Sequence, residues 1–251
     1  MKETLGLESY TSHVVEGRFL AKKTHNWQSE SAVLLNGELV EMLIQHGVGA
    51  LLLLPEEFGD REAYGTQELR HGMLDEMGDV TWFCFDVAES LGINVSEACQ
   101  KALKSHVPEF SGKIHNFSDL EAAVMDNADK IRILNKMGMY LPKASDDIRY
   151  TTLAIHPQYL LLRTGTRLTR ALEGGQRSGG PPTASDLEPV SDLEHTIGDY
   201  LLVLTYIAKA RLGASMEDVA QFNIAKLSHR AVHGKANDIH FTDWYQQQGN
   251  D

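Results

Sequence analysis

"LDEMGDVTWFCFDVAESLGI", residues 74–93, sets Asp75, Glu76, Asp79, Asp86 and Glu89 into an otherwise apolar run. Met73, Met77, Val80, Cys84, Val87 and Leu91 recur at intervals of three and four, the spacing of one face of an α-helix. A second stripe carries Glu76, Asp79, Phe83 and Asp86, so Glu76 and Asp79 project side by side, one turn apart. Two adjacent carboxylates repel unless a positive group lies between them. The segment is therefore a helix whose acidic stripe is either a solvated face or one wall of a cation site.

The chain repeats this pattern. "EMGDVTWFCFDVAESLGINVSEACQKALKSH" resembles the later "TIGDYLLVLTYIAKARLGASMEDVAQFNIAKLSHR". Each has Gly-Asp, a long apolar helix, a glycine where that helix should stop (Gly92, Gly213) and a shorter capped helix. Asp79 and Asp199 lie 120 positions apart (199 less 79). Upstream, "AVLLNGELVEML" at 32–43 sits beside "YLLLRTGTRLTRAL" at 159–172, aligned on Gly37 and Gly165.

Each half reads as four helices: about 8–24, 28–46, 67–91 and 95–106 in the first, and about 118–137, 146–173, 191–212 and 215–230 in the second. Ser96 and Ser215 are the expected N-caps of the short helices, and Gly47, Gly49 and "EGG" at 173–175 the expected stops of the central ones. The nearest rival to a strand, "ALLLLPEE" at 50–57, is cut short by Pro55. The predicted class is all-α, a helical bundle of two repeats forming an internal pseudo-dimer. The repeats are residues 1–110 and 111–233, followed by a polar tail at 234–251 expected to pack weakly unless Phe241, Trp244 and Tyr245 anchor it. "HVPEFSGKIHNF" (106–117) is the expected boundary, and "GGQRSGGPPTASD" (174–186) reads as a flexible insert in the second half.

Composition narrows the partners. A formal net charge of -12 over 251 residues argues against a general nucleic-acid or anionic-membrane binder, which needs a basic surface. An anionic ligand would instead need a divalent cation as intermediary. No run is long and apolar enough to span a bilayer, no signal peptide is evident, and the cytoplasm is the default compartment. Cys84 and Cys99 have neither metal-ligand spacing nor a disulfide framework and read as reduced packing residues.

Magnesium favours carboxylate oxygens, so a site for it needs acids converging from two helices. "NGELVEML" supplies Glu38 and Glu41 three apart on a helix preceding the Glu76/Asp79 helix, and an antiparallel pair brings the two sets face to face. The order "LESYTSHVV … W … GELVEML … DEMGDVTWFCFDVAESLGINVSEA" resembles the MazG-like nucleoside triphosphate pyrophosphohydrolases, the all-α superfamily related to the dimeric dUTPases. The second half resembles them more weakly, down to an N-x-x-K-x-x-x-R ending at Asn223, Lys226 and Arg230. The resemblance implies cleavage of a (deoxy)nucleoside triphosphate to monophosphate and pyrophosphate. Glu38, Glu41, Glu76 and Asp79 would be metal ligands and catalytic acids for Mg2+, with Mn2+ as the alternative ion. Asp75 would help orient or deprotonate the attacking water.

For contacts to substrate, the same reading names Trp82 and Phe83 beside the base, against a core role for both aromatics. Asp86 is left as a further ligand, a ribose contact or a solvated charge. Asn223, Lys226, Arg230 and the Arg163, Arg167, Arg170 series are candidate phosphate contacts, against a solvated helix face for the arginine series, with Lys101 and Lys104 as alternatives from the first half. Departures from the family pattern are specific. Leu35 stands where the family writes an acid three before Glu38, and the second half has Thr166 and Arg167 after Gly165 and Thr196 three before Asp199. That half should not bind magnesium alone. The departures support an alternative, a catalytically inactive nucleotide-binding or scaffold protein. "ELRH" at 68–71 fits the E-x-x-H of di-iron bundles, but no second copy is suitably placed, and His71 reads as a surface or outer-shell residue. Whether two chains pair as a homodimer, and which base and sugar are preferred, the sequence leaves open.

Overall fold

In the computed structural model, the described residues are 4–20, 66–136, 190–233 and 239–248. They are mostly helical, with no strand among them, so the all-α class holds for the described chain. The elements are α1 (Leu7–Leu20), α2 (Thr66–Ser90), α3 (Val95–His106), α4 (Phe117–Asp126), α5 (Arg132–Lys136), α6 (Val190–Tyr206), a π-helical continuation of α6 (Ile207–Arg211), α7 (Met216–His233) and α8 (Phe241–Gln248). The helices predicted at 28–46 and 146–173, with the stops at Gly47, Gly49 and 173–175, lie outside the described residues. Positions 21–24 of the first predicted helix do too. No described helix is long and apolar enough to cross a membrane.

The apolar stripe of α2 forms the centre: Met77, Val80, Phe85 and Val87 are fully buried, Cys84 nearly so. Tyr10 of α1 meets Phe85 and Phe117 edge-on at ring-centroid distances of 4.8 and 5.4 Å. Each such side chain removed from water contributes roughly 1.5–3 kcal/mol. Both cysteines are free and buried, and burial pushes the Cys84 thiol up to about 12 and the Cys99 thiol up as well, in keeping with inert packing residues.

Glycine stops the two long helices as expected. Gly92 and Gly213 adopt φ values of +68° and +63°, in the left-handed region that a side chain disfavours. After Gly92, the Ile93 N–H returns to the Ala88 carbonyl at 2.9 Å; after Gly213, the Ala214 N–H returns to Ala208 at 3.0 Å, one residue further back. The difference has a cause in the sequence. Gly78 and Gly198 are 120 positions apart (198 less 78), whereas Gly92 and Gly213 are 121 apart (213 less 92). The π-helical turn at Ile207–Arg211 takes up the extra residue, as such bulges do inside α-helices.

Several contacts come in matched pairs. Leu7, which opens α1, donates its N–H to the His115 carbonyl at 3.0 Å, and Phe117, which opens α4, donates its N–H to the Leu5 carbonyl at 3.5 Å, around an antiparallel Gly6–Asn116 bridge. Helix α3 packs along α6, and α7 packs along α2. Gly78 of α2 lies under Asn223 of α7, so near that a Cβ on it would be 3.2 Å from the Asn223 Cβ. Gly198 of α6 lies still tighter under α3, where a Cβ would run into the Ala98 carbonyl and the Ala102 methyl.

Four sequence expectations are corrected. The helix predicted over 118–137 is broken: α4 ends at Asp126, Asn127 bonds back through its amide to the Ala123 carbonyl at 2.9 Å, and α5 restarts at Arg132. Asn94, not Ser96, caps α3 by accepting the Glu97 N–H at 3.1 Å, and the Ser96 hydroxyl donates instead to the Ile114 carbonyl. Ser215 does cap α7, accepting the Asp218 N–H at 3.0 Å. The 234–251 tail contains a packed helix, α8, with Phe241 buried and Trp244 nearly so against Phe222. His71 is no surface residue: it is buried beside Phe241, because α8 covers it.

Candidate functional site

On α2 the acidic stripe is sheltered: Glu76 and Asp79 are half-buried and Asp86 fully buried. Asp79 receives two groups from α7. The Asn223 amide nitrogen donates to its Oδ1 at 2.6 Å, and the Lys226 ammonium lies 2.7 Å from its Oδ2. Asn223 and Lys226 share a face of α7 because they are three apart, and Gly78 lets that face approach α2 closely. Lys226 is only 5% exposed, its stem packing where Nζ stands 5.6 Å from the Phe222 ring centre. Asn223 is fully buried, and its Oδ1 has no hydrogen-bond partner. A buried amide oxygen left unpaired costs about 1–3 kcal/mol. The Tyr10 hydroxyl is a second buried polar atom without a partner, and burial together with the charge of Asp79 raises its pKa well above the usual value.

Glu76, one turn before Asp79, is half-buried and is not free of partners. Asp75 faces the C-terminal helix, accepting the Phe241 N–H at Oδ1 (2.8 Å) with His240 Nδ1 3.4 Å from Oδ2. It thereby satisfies an orphan donor at the start of α8. Its carboxyl is held above the ordinary range because burial disfavours the charge more than the Phe241 N–H, Lys226 and His240 favour it. Asp86 is fully buried and carries an interaction of its own, so it is no solvated charge.

Trp82 and Phe83 are half-buried and pack on the core, Trp82 edge-on to Tyr10 at 6.0 Å. Lys101 is ion-paired with Glu194, Lys104 is exposed, and Arg230 lies in the last turn of α7 with a partner of its own. Glu38, Glu41, Leu35 and the Arg163, Arg167, Arg170 series lie outside the described residues.

A second cluster was not anticipated from the sequence. Asp199 Oδ1 is 2.8 Å from His106 Nε2, at the end of α3, and its Oδ2 is 3.5 Å from His195 Nε2. The four-residue spacing of His195 and Asp199 on one helix was a legible signal; His106 reaches them only through the packing of α3 on α6.

Carboxylate oxygens are the donors a hard divalent ion prefers, and both oxygens of Asp79 are here met by Asn223 and Lys226. Glu76 and Asp79 offer carboxylate oxygens from one helix face, and the unpaired Asn223 carbonyl oxygen belongs to a residue bonded to Asp79. Among the described residues no three His, Cys, Asp or Glu side chains converge as a complete metal site. The other two acids of the expected set, Glu38 and Glu41, are not among those residues. No protein-family model, no curated protein and no solved structure matches the chain.

Proposed function

We propose that the protein is a magnesium-dependent nucleoside triphosphate pyrophosphohydrolase, built as an internal pseudo-dimer of two MazG-like repeats, with the acids on the first half. The observation that carries this reading is the meeting at Asp79: an acid one turn from Glu76 is met by an amide and an ammonium from the other half. The matched contacts support the pseudo-dimer. In a two-fold pair, residue i touches j of the partner while j touches i. The Leu7/His115 and Phe117/Leu5 bonds have that form, as do the glycine contacts of Gly78 and Gly198, since Asn223 and Ala102 are themselves 121 positions apart (223 less 102).

A magnesium ion held there would neutralise phosphate oxygens as charge moves to the leaving group. The chain's own part is to hold and orient. Glu76 and Asp79, with Glu38 and Glu41, would hold the cation, and one of the acids would take a proton from the water. The water oxygen then bonds to phosphorus, the α–β anhydride P–O bond breaks, and pyrophosphate departs with the bonding pair, leaving the monophosphate. Asn223, Lys226 and Arg230 are the phosphate-side groups from the second half.

One observation favours a second reading, an inactive nucleotide-binding or scaffold protein: both oxygens of Asp79 already have donors from the protein itself. Incubation with Mg2+ and a panel of ordinary and damaged (deoxy)nucleoside triphosphates separates the two. Monophosphate and pyrophosphate released in equal amounts support the enzyme; nucleotide binding without turnover supports the scaffold.

A further inference from the structure

We propose that Lys226 is a built-in placeholder cation, whose ammonium holds Asp79 Oδ2 in the metal-free protein and must yield that oxygen when a divalent ion binds. The inference rests on the magnesium reading above and specifies how that site is regulated.

Three observations lead to it. First, the contact is close and sheltered: Nζ to Oδ2 is 2.7 Å, with side-chain exposures of 7% for Lys226 and 19% for Asp79. A sheltered carboxylate beside a half-buried Glu76 calls for a compensating cation, and Lys226 is the ammonium that meets it. Second, Asn223 Nδ2 occupies the other oxygen at 2.6 Å, so Asp79 has no side-chain oxygen free of a protein donor. An ion can be ligated by Asp79 only after one donor leaves or shares. Third, the Asn223 carbonyl oxygen is fully buried and unpaired, a polar acceptor held at the same residue with nothing to accept. Of the two donors, Lys226 is the one that can move away, since its ammonium ends a flexible four-carbon stem, whereas Asn223 is wedged against Gly78. The consequence is competition: protein-borne ammonium and divalent ion exclude each other at Oδ2, and metal affinity is lower than the carboxylates alone would give.

The test is Mn2+ binding to the full chain, read by titration calorimetry and by the Mn2+-induced rise in melting temperature. It compares the wild type with Lys226→Met, Lys226→Arg and Asp79→Asn. Lys226→Met should bind Mn2+ roughly ten-fold or more tightly than the wild type and show the larger thermal rise. Lys226→Arg, which keeps the cation, should stay near the wild type, and Asp79→Asn should bind least. A merely structural role for Lys226 would leave metal affinity unchanged or reduced on its removal. Equal or weaker Mn2+ binding by folded Lys226→Met therefore overturns the placeholder and leaves the pyrophosphohydrolase reading standing. No Mn2+ binding by any of the proteins overturns both. If Lys226→Met does not fold, Lys226→Gln, which keeps a donor without the charge, replaces it and is judged by the same outcomes.

Discussion

Asp79 and Asp199 follow matching glycines on the two long helices, yet they meet different partners. Asp79 meets the Asn223 amide and the Lys226 ammonium from α7; Asp199 meets the His106 and His195 rings, from α3 and from its own helix. An ammonium is a permanent charge in the neutral range, whereas an imidazole is not. A carboxylate backed by a Glu one turn earlier has the harder electrostatic problem and meets an ammonium. At the second position Thr196 replaces that Glu, and histidine suffices. Among the described residues, α2 sets two acids one turn apart at Glu76 and Asp79, whereas α6 pairs Asp199 with Thr196 at the matching position.

The largest expected effect breaks that comparison at its acidic end. Glu76→Gln should lower pyrophosphate release by more than the roughly 10–100-fold typical of outer-shell changes, with the melting temperature unchanged or raised, because repulsion with Asp79 is removed. Asp199→Asn should leave turnover intact. Equal losses in both, in a steady-state pyrophosphate assay, would erase the distinction between the halves.

Removing the neutralising groups sharpens it next. Lys226→Ala should destabilise by about 3 kcal/mol, because it leaves Asp79 largely buried with only Asn223. His106→Ala should cost about 1 kcal/mol, because Asp199 keeps His195. Denaturant titration at neutral pH measures both. Packing differs in the same places: Gly198→Ala should cost about 1–3 kcal/mol, because its methyl meets rigid backbone at Ala98. Gly78→Ala should fall within about 1 kcal/mol of the wild type, since a 3.2 Å contact with Asn223 is set against better helix propensity.

The smallest effect concerns Asp75. Its folded carboxyl keeps a proton above the 3.8 of the unfolded group, so its stabilisation is full in acid and declines as pH rises through the folded value. Asp75→Asn retains an acceptor for the Phe241 N–H without the buried charge. It should therefore be more stable than the wild type by up to about 1 kcal/mol at neutral pH and lose that advantage below pH 3.8, as paired denaturation curves would show.

Much of this architecture was legible in the sequence because its signals are local. The three-and-four spacing of Met73, Met77, Val80 and Cys84 identified α2, and Gly92 and Gly213 marked ends that only a left-handed residue closes comfortably. Where two residues of similar capping ability stood close together, locality failed: Asn94 and Ser96 both suit an N-cap, and the choice fell to Asn94 because Ser96 is claimed by the Ile114 carbonyl. The break after Asp126 was hidden because Asn127 reads as an ordinary helix-surface residue until its amide bonds back to Ala123. The α8 anchors were visible as Phe241, Trp244 and Tyr245, but their pocket on Phe222 and His71 is made by distant segments.

At the candidate site, the sequence named both members of the Asp79 contact without pairing them. Asn223 and Lys226 are expected phosphate contacts, and in the structure both meet the Asp79 carboxylate. Such a contact spans 144 positions and depends on how closely Gly78 admits α7, which no periodicity encodes.

The central proposal is that Glu76 and Asp79 of α2, together with Glu38 and Glu41, hold a divalent ion against a triphosphate. A crystal structure of the protein soaked with magnesium and a non-hydrolysable nucleoside triphosphate tests it most directly. The account predicts an ion ligated by Glu76 and Asp79 together with Glu38 or Glu41, with the phosphates against it. A nucleotide bound elsewhere, or Glu38 and Glu41 turned away from α2, would contradict it.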